Sequence, residues 1–211
     1  MLSQRLPAHG TQVGNYGSIP HSLHHPDLET SIDSTGPKNE LLLNDGSGSF
    51  TADSTSAVVA STDRTYAAAF ADVNGDKFVD LVVGNWGRAN EYFLNGGRSG
   101  STWQGFSKVS GSAISTTTLT VAVLFGDVDS DGDVDLFVAN YRTANEYFTN
   151  NGQGVFTAVS GSAVTAQSCN RAGRDCSTLA MVLGDIDGDG DLGEASPRSR
   201  LVTLAAIRIP Y

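Results

Sequence analysis

The sequence has little of what marks a helical, membrane-spanning or disulfide-rich protein. Only 17% of its 211 residues are charged and 24 are glycine, a composition that favours short strands and turns over long helices. No apolar run is long enough to cross a bilayer, so we expect no membrane span. Residues 1–14 also lack the basic and then apolar pattern of a signal peptide.

Cysteine and histidine are scarce as well. The two cysteines, Cys169 and Cys176, lie in a polar stretch, where a small surface disulfide and two free thiols are both compatible with the sequence. No third cysteine or histidine lies near enough in sequence to form a metal site with this pair. All four histidines fall within the first 25 residues. We interpret them as solvated positions in a poorly ordered segment, with zinc binding as the alternative.

Basic residues are in deficit, with 13 against 23 acidic residues and a net charge of −10. The acidic residues concentrate in three short windows, at residues 72–80, 127–135 and 185–191. Because this negative charge is local, it favours small cations as ligands and predicts no nucleic-acid partner.

The chain contains an internal repeat. One landmark recurs at spacings of 55 and 58 residues, as TYAAAFAD at 65–72, TVAVLFGD at 120–127 and TLAMVLGD at 178–185. A second recurs at spacings of 51 and 55, as NELLLN at 39–44, NEYFLN at 90–95 and NEYFTN at 145–150. Two landmarks with a similar period indicate a tandem-repeat fold.

Each repeat unit predicts four short strands separated by turn residues. In the middle unit we expect strands at residues 120–125, 134–139, 146–149 and 154–159, with Asp-Gly, Asn-Asn-Gly and Gly-Ser in the connecting segments. Four strands in roughly 55 residues match the blade of a β-propeller. A parallel β-helix is the alternative, but its coils are usually shorter. We therefore predict an all-β fold of four-stranded antiparallel propeller blades.

The first two acidic windows have the spacing of calcium loops. Side-chain oxygens at positions 1, 3 and 5 converge on one side of a tight loop, as suits a hard cation with about six to eight oxygen ligands. Position 7 is expected to offer its backbone carbonyl, and position 9 to close the coordination shell. The predicted ligands are Asp72, Asn74, Asp76, Phe78 and Asp80 in the first loop, and Asp127, Asp129, Asp131, Asp133 and Asp135 in the second.

The third window begins like the others and ends differently. Its predicted ligands are Asp185, Asp187, Asp189 and Asp191, but Gly193 stands at the closing position. We expect weaker binding there unless Glu194 reaches the ion.

Two alternatives compete with the calcium loops. An EF-hand needs a bidentate Glu at position 12 and flanking helices, whereas position 12 is Val83, Val138 and Ser196. Acidic surface turns without metal are the other alternative, and the recurrence of the spacing at the repeat period argues against them.

These residues resemble the FG-GAP and VCBS repeat family of integrin-α-like β-propellers. The similarity is carried by FADVNGD at 70–76 with DLVVGN at 80–85, by FGDVDSDG at 125–132 with DLFVAN at 135–140, and by the Asn-Glu landmark after each. The resemblance covers residues 39–191. It implies blades whose Asp-rich loops hold calcium on one rim, with partners bound at the opposite rim or the side. Position by position, it implies the same ligands in all three loops.

The repeats divide the chain into a poorly ordered segment at 1–38, propeller repeats at 39–193 and a divergent tail at 194–211. Whole units span about 63–110 and 118–160, with half units at 39–51 and 178–191. Propellers usually need about four to eight blades. We therefore expect an incomplete propeller of about three blades, able to self-associate through open blade edges.

The sequence favours a non-catalytic binding module. It has no Gly-x-Ser-x-Gly elbow and no histidine within the repeats, and its clustered carboxylates are assigned to metal. The expected role is protein–protein or cell-surface recognition outside the cell, where calcium is abundant enough to fill weak sites. One alternative is an accessory propeller of a secreted hydrolase or lyase. The other is a lectin with exposed Trp86, Trp103, Tyr141 and Tyr147 stacking on sugars, although the strand pattern places Tyr92, Tyr147 and Phe148 in the core or sheet.

Overall fold

The computed structural model describes residues 36–165, 178 and 180–184. The two cysteines, the third acidic loop, the C-terminal tail and all but positions 36–38 of the N-terminal segment lie outside the described residues. Among the described residues, no helix has the length and hydropathy needed to cross a bilayer.

The described residues form short β-strands and one short 3₁₀ helix, Ala57–Ala60. The strands are β1 Leu41–Asn44, β2 Phe50–Asp53, β3 Thr65–Ala71, β4 Asp80–Ala89, β5 Glu91–Asn95, β6 Arg98–Ser99, β7 Thr102–Trp103, β8 Phe106–Lys108, β9 Thr117–Gly126, β10 Asp135–Asn140, β11 Glu146–Asn150 and β12 Phe156–Ala158. Strand residues point alternately to the two faces of a sheet, and Leu81 and Val83 accordingly join one apolar layer while Val82 joins another. The all-β prediction is confirmed.

Two four-stranded antiparallel blades account for most of these strands. The first blade has the order β3, β4, β5, β8, and the second has the order β9, β10, β11, β12. The four strands predicted for the middle unit correspond to β9–β12, with ends that differ by no more than a few residues. The half unit predicted at residues 39–51 corresponds to the two-stranded hairpin β1–β2, which precedes both blades in sequence. Its strands pair from Leu41↔Asp53 to Asn44↔Phe50.

The blades also share a strand pairing. The far end of β4 continues past β3 and pairs with the start of β9, through Trp86↔Leu119 and Ala89↔Thr117. This pairing and the layer beneath it fix the two blades against each other.

The largest apolar layer lies between the two blades. Val82 and Tyr92 from the first blade meet Leu136, Val138 and Phe148 from the second, and each is at most 1% exposed. A second layer covers the other face of the first blade, and a third, which includes Phe137 and Met181, covers the other face of the second blade. The inter-blade layer therefore joins the two blades into one core.

The Asn-Glu landmark forms a buried polar network at one end of each blade. In the second blade, Asn140 N–H donates to Asn145 Oδ1 (3.0 Å), and the Asn140 side-chain amide donates to Ala144 O (2.9 Å) and Glu146 Oε2 (3.1 Å). Asn85, Asn90 and Glu91 repeat this pattern in the first blade. The landmark is therefore structural, because it secures the turn between the second and third strands of each blade.

Candidate metal centre

Both acidic loops connect the first and second strands of a blade. Residues 72–79 join β3 to β4, where Ala71 pairs with Asp80, and residues 127–134 join β9 to β10, where Gly126 pairs with Asp135. The same pairing at the mouth of each loop gives the two loops the same place in their blades. They lie at the opposite end of the blades from the Asn-Glu network, since Asn85 is the last residue of β4 that pairs with β3 and Asn140 is the last residue of β10.

In the second loop the structure brings three carboxylates together. Oxygen atoms of Asp127, Asp129 and Asp131 all lie within 4.8 Å of one another. Asp127 Oδ2 accepts the Gly132 N–H (3.0 Å), whereas Asp127 Oδ1 is buried without a hydrogen-bond partner. An unpaired buried carboxylate oxygen is costly. A bound cation is the partner that would satisfy it and offset the repulsion within the group.

Asp129 responds to its surroundings in this loop. Partial desolvation, followed by the neighbouring charge of Asp131, raises the pKa of the Asp129 carboxyl above its ordinary value. A bound cation would act in the opposite direction, because an opposite charge nearby favours the ionised carboxylate.

The first loop has one carboxylate fewer at positions 1, 3 and 5, because position 3 is Asn74. Asp72 Oδ1 accepts the N–H groups of Gly75 (2.9 Å) and Asp76 (3.2 Å), and Asp72 Oδ2 accepts that of Lys77 (2.8 Å). Asn74 and Asp76 are also hydrogen-bonded to each other, at 3.0 Å. These bonds join the side chains at positions 3 and 5 and tie the position 1 carboxylate to the backbone of the same loop. The roles of Asp72, Asn74 and Asp76 as ligands stay predictions.

Both loops adopt the same unusual backbone. Position 4 has positive φ in Gly75 (76°) and Ser130 (60°), and position 6 has positive φ in Lys77 (74°) and Gly132 (93°). Glycine adopts this conformation readily, as at Gly75 and Gly132. Lys77 occupies the position of Gly132 without being glycine, and such a conformation is uncommon for a long side chain.

The closing aspartates are buried anchors. Asp80 and Asp135 are both 0% exposed. Asp80 accepts the N–H groups of Val73 (3.2 Å) and Asn95 (2.8 Å), and Asp135 accepts the Asn150 N–H (2.9 Å) and the Tyr147 hydroxyl (3.1 Å). Burial raises the pKa of each carboxyl to about 6. Asp135 is not part of the group of three carboxylates, so its role as a direct ligand stays a prediction.

Position 7 lies beside the cluster in both loops. The Phe78 N–H donates to Asp76 Oδ1 (2.8 Å), and the Asp133 N–H donates to Asp131 Oδ1 (2.9 Å). These bonds orient the position 5 carboxylates, and the carbonyls of Phe78 and Asp133 stay predicted ligands. Asp185, Asp187, Asp189 and Asp191 fall outside the described residues.

The donor set suits calcium. All of the side chains at positions 1, 3, 5 and 9 offer carboxylate or amide oxygen, which hard divalent cations prefer over nitrogen or sulfur. The buried, unpaired Asp127 oxygen supplies a ligand atom that no protein group satisfies. The residues present therefore fit calcium, most completely in the second loop.

Sequence reasoning missed the residues that hold these loops in place. Asn95 and Asn150, the last residues of the second landmark, donate to the closing aspartates, and only the recurrence of asparagine at that position could have drawn attention to them. The lectin alternative required an exposed Trp86, and the structure does not support this requirement. This residue is 7% exposed, because its ring stacks between Tyr66 (4.8 Å between centroids) and Tyr141 (5.4 Å).

One family of repeat proteins matches the chain three times. The family model described as FG-GAP-like repeat matches it three times, at residues 30–83, 72–138 and 127–192. The second and third matches each begin at the first aspartate of an acidic loop, so the model repeats with the loops described above. The search of curated proteins finds no match. Since the three matches together span most of the sequence, the chain belongs to the family of FG-GAP-like repeat proteins.

Proposed function

We propose that this chain is a calcium-binding propeller module that recognises other proteins at a cell surface or outside the cell, without catalysis of its own. The observation that carries the calcium assignment is the group of Asp127, Asp129 and Asp131, with oxygens within 4.8 Å and one buried oxygen unpaired. Binding would neutralise that group and stiffen the loop at one end of the blade.

Calcium titration by calorimetry on the full chain tests the assignment. Asp131→Asn removes one anionic ligand from the second loop and should lower the stoichiometry or affinity. Glu40→Gln removes the same charge from an exposed position outside the loops and is the matched control. Equal isotherms for both variants would refute a site at Asp131.

The recognition role rests on the position of the remaining loops. Binding residues commonly lie on loops held by a rigid scaffold. At the end of the second blade opposite its acidic loop, Tyr141 is partly exposed and Arg142 is exposed. The Arg142 guanidinium lies 5.3 Å from the centre of the Tyr141 ring. We expect the protein to act outside the cell, because calcium there is abundant enough to fill weak sites. The acidic composition argues against nucleic acid as a partner.

Glycan binding is the weaker alternative. Both faces of Trp86 are covered by protein rings, Tyr147 stacks on Phe137 at 4.6 Å, and Trp103 donates its indole N–H to Asn95. A glycan array in calcium separates the two functions. A specific signal that Tyr141→Ala abolishes would favour the lectin, and a blank array would favour protein recognition.

A further inference from the structure

Asn150, the last residue of β11, and the turn that follows it at residues 151–154 lie between the two acidic loops. The Asn150 N–H donates to Asp135 Oδ1 (2.9 Å), and its side-chain amide donates to Val134 O (3.2 Å), so both bonds reach the second loop. The same amide donates to Val73 O (2.8 Å) in the first loop, 77 positions away in sequence. Asn150 therefore bonds to both loops at once.

The hydrogen-bond path continues to the far side of the first loop. The Val73 N–H donates to Asp80 Oδ2 (3.2 Å). The two closing aspartates are thus joined through three consecutive bonds, from Asp135 to Asn150, to Val73 and to Asp80. These four residues are between 0% and 6% exposed, so water does not compete readily for the path.

Two glycines let the turn lie against both loops. Gly152 and Gly154 both have a φ of +72°. A Cβ atom at Gly152 would collide with the Asp133 carboxylate of the second loop, and one at Gly154 would collide with the Tyr92 hydroxyl. Tyr92 in turn donates to Gly154 O (3.2 Å), which holds this end of the turn on the first blade.

Asn95, at the equivalent position of the first blade, makes no comparable link between blades among its described contacts. Its N–H donates to Asp80 Oδ1 (2.8 Å), its amide donates to Val79 O (3.0 Å), and its Oδ1 accepts from Gly97 and Trp103. All of these partners belong to its own blade. Asn95 is therefore a matched control for Asn150.

Resting on the calcium assignment proposed above, we propose that the two loops bind calcium cooperatively and that Asn150 is the positioning residue that couples them. An ion in the second loop fixes Asp135, and through Asn150 it fixes Val73, which stands between the predicted ligands Asp72 and Asn74. The first loop then has less ordering to undergo when its own ion binds. A ligand that orders a shared element lowers the cost for the next ligand.

Calorimetric calcium titrations on the full chain measure the coupling. All proteins carry Asp189→Asn, which disables the predicted third loop. Asp131→Asn then isolates the first loop and Asp76→Asn isolates the second. The parent protein, which carries Asp189→Asn alone, gives two association constants, and each single-loop variant gives one. The coupling factor is the product of the two parent constants divided by the product of the two single-loop constants. We expect a factor of at least about five, falling to about one with Asn150→Ala and persisting with Asn95→Ala.

The outcomes separate this inference from the calcium assignment. If neither loop binds calcium, the assignment itself fails. A factor near one in the parent overturns the coupling and leaves the assignment intact, and an unchanged factor in Asn150→Ala overturns the role of Asn150. If circular dichroism shows Asn150→Ala to be unfolded, the coupling factor is measured in Tyr92→Phe instead. This variant keeps the ring and removes only the hydroxyl that holds Gly154. A reduced factor supports the coupling through this turn, and an unchanged factor contradicts it.

Discussion

Replacing Asn140 by Ala tests whether the Asn-Glu landmark is structural. The Asn140 side chain is fully buried. It accepts from the Thr120 hydroxyl (3.2 Å) and donates to Ala144 O (2.9 Å) and to Glu146 Oε2 (3.1 Å). The alanine variant removes all three bonds and leaves three buried or partly buried polar groups with one partner fewer.

The size of the effect follows from these bonds. A net contribution of about 1 kcal/mol for each hydrogen bond gives a loss of roughly 3 kcal/mol in the free energy of unfolding. With a urea m-value of about 2 kcal/mol/M, the midpoint should fall by about 1.5 M.

Urea denaturation, followed by circular dichroism in calcium and in chelator, provides the assay. Because the network lies at the end of the blade remote from the acidic loops, Asn140→Ala should lower the stability under both conditions and leave the calcium affinity of the folded protein unchanged. Thr143→Ala, at an exposed position in the following turn, should change the stability by less than about 0.5 kcal/mol. A loss below that value for Asn140→Ala, or a changed calcium affinity at unchanged stability, would refute the structural role.

Three further predictions concern packing, pH and association. Phe148→Ala should cost about 3–5 kcal/mol in urea denaturation because the ring is 1% exposed between the blades, whereas Phe148→Leu should cost less than about 1.5 kcal/mol; equal losses would contradict this packing. Asp80 and Asp135 have folded-state pKa values of about 6, raised by burial, so in chelator their contribution to stability should be present below about pH 4 and lost as the pH rises through about 6. Asp135→Asn should reduce this dependence in melting curves, and an unaltered pH profile would argue against it. Leu42 and Phe50 are 49% and 61% exposed on the β1–β2 hairpin, so light scattering should show self-association that Leu42→Ser with Phe50→Ser reduces, and a parent that is monomeric at all concentrations would contradict this.

Much of the fold could be predicted because its signals are local. Neighbours in β9 face opposite sides of the sheet, so that Val123 and Phe125 join the inter-blade layer while Leu124 joins the layer on the other face. The aspartates at 127, 129 and 131 are close in sequence as well as in space. Turn residues such as Gly132 also carry their backbone preference themselves. The loops and the blade order therefore follow from the repeat and its spacing.

The rest depends on contacts between distant residues. Nothing near Asn150 in sequence indicates that it bonds to Val73, because that contact exists only once two blades pack together. The burial of Trp86 could not be predicted for the same reason, since the rings that cover it come from Tyr66 and Tyr141. Lys77 adopts positive φ because the Asp72 carboxylate accepts its N–H, a local bond that residue preference alone does not reveal.

Calcium binding by the folded chain is tested by its melting temperature in calcium and in chelator, at equal ionic strength. A ligand bound only by the folded state stabilises it by mass action, by about 2.7 kcal/mol at one hundred times its dissociation constant. For a chain of this length that corresponds to a rise of roughly 5–10 °C. We expect such a rise in calcium, smaller in Asp131→Asn and retained in Glu40→Gln. Melting curves that superimpose in calcium and chelator would contradict it.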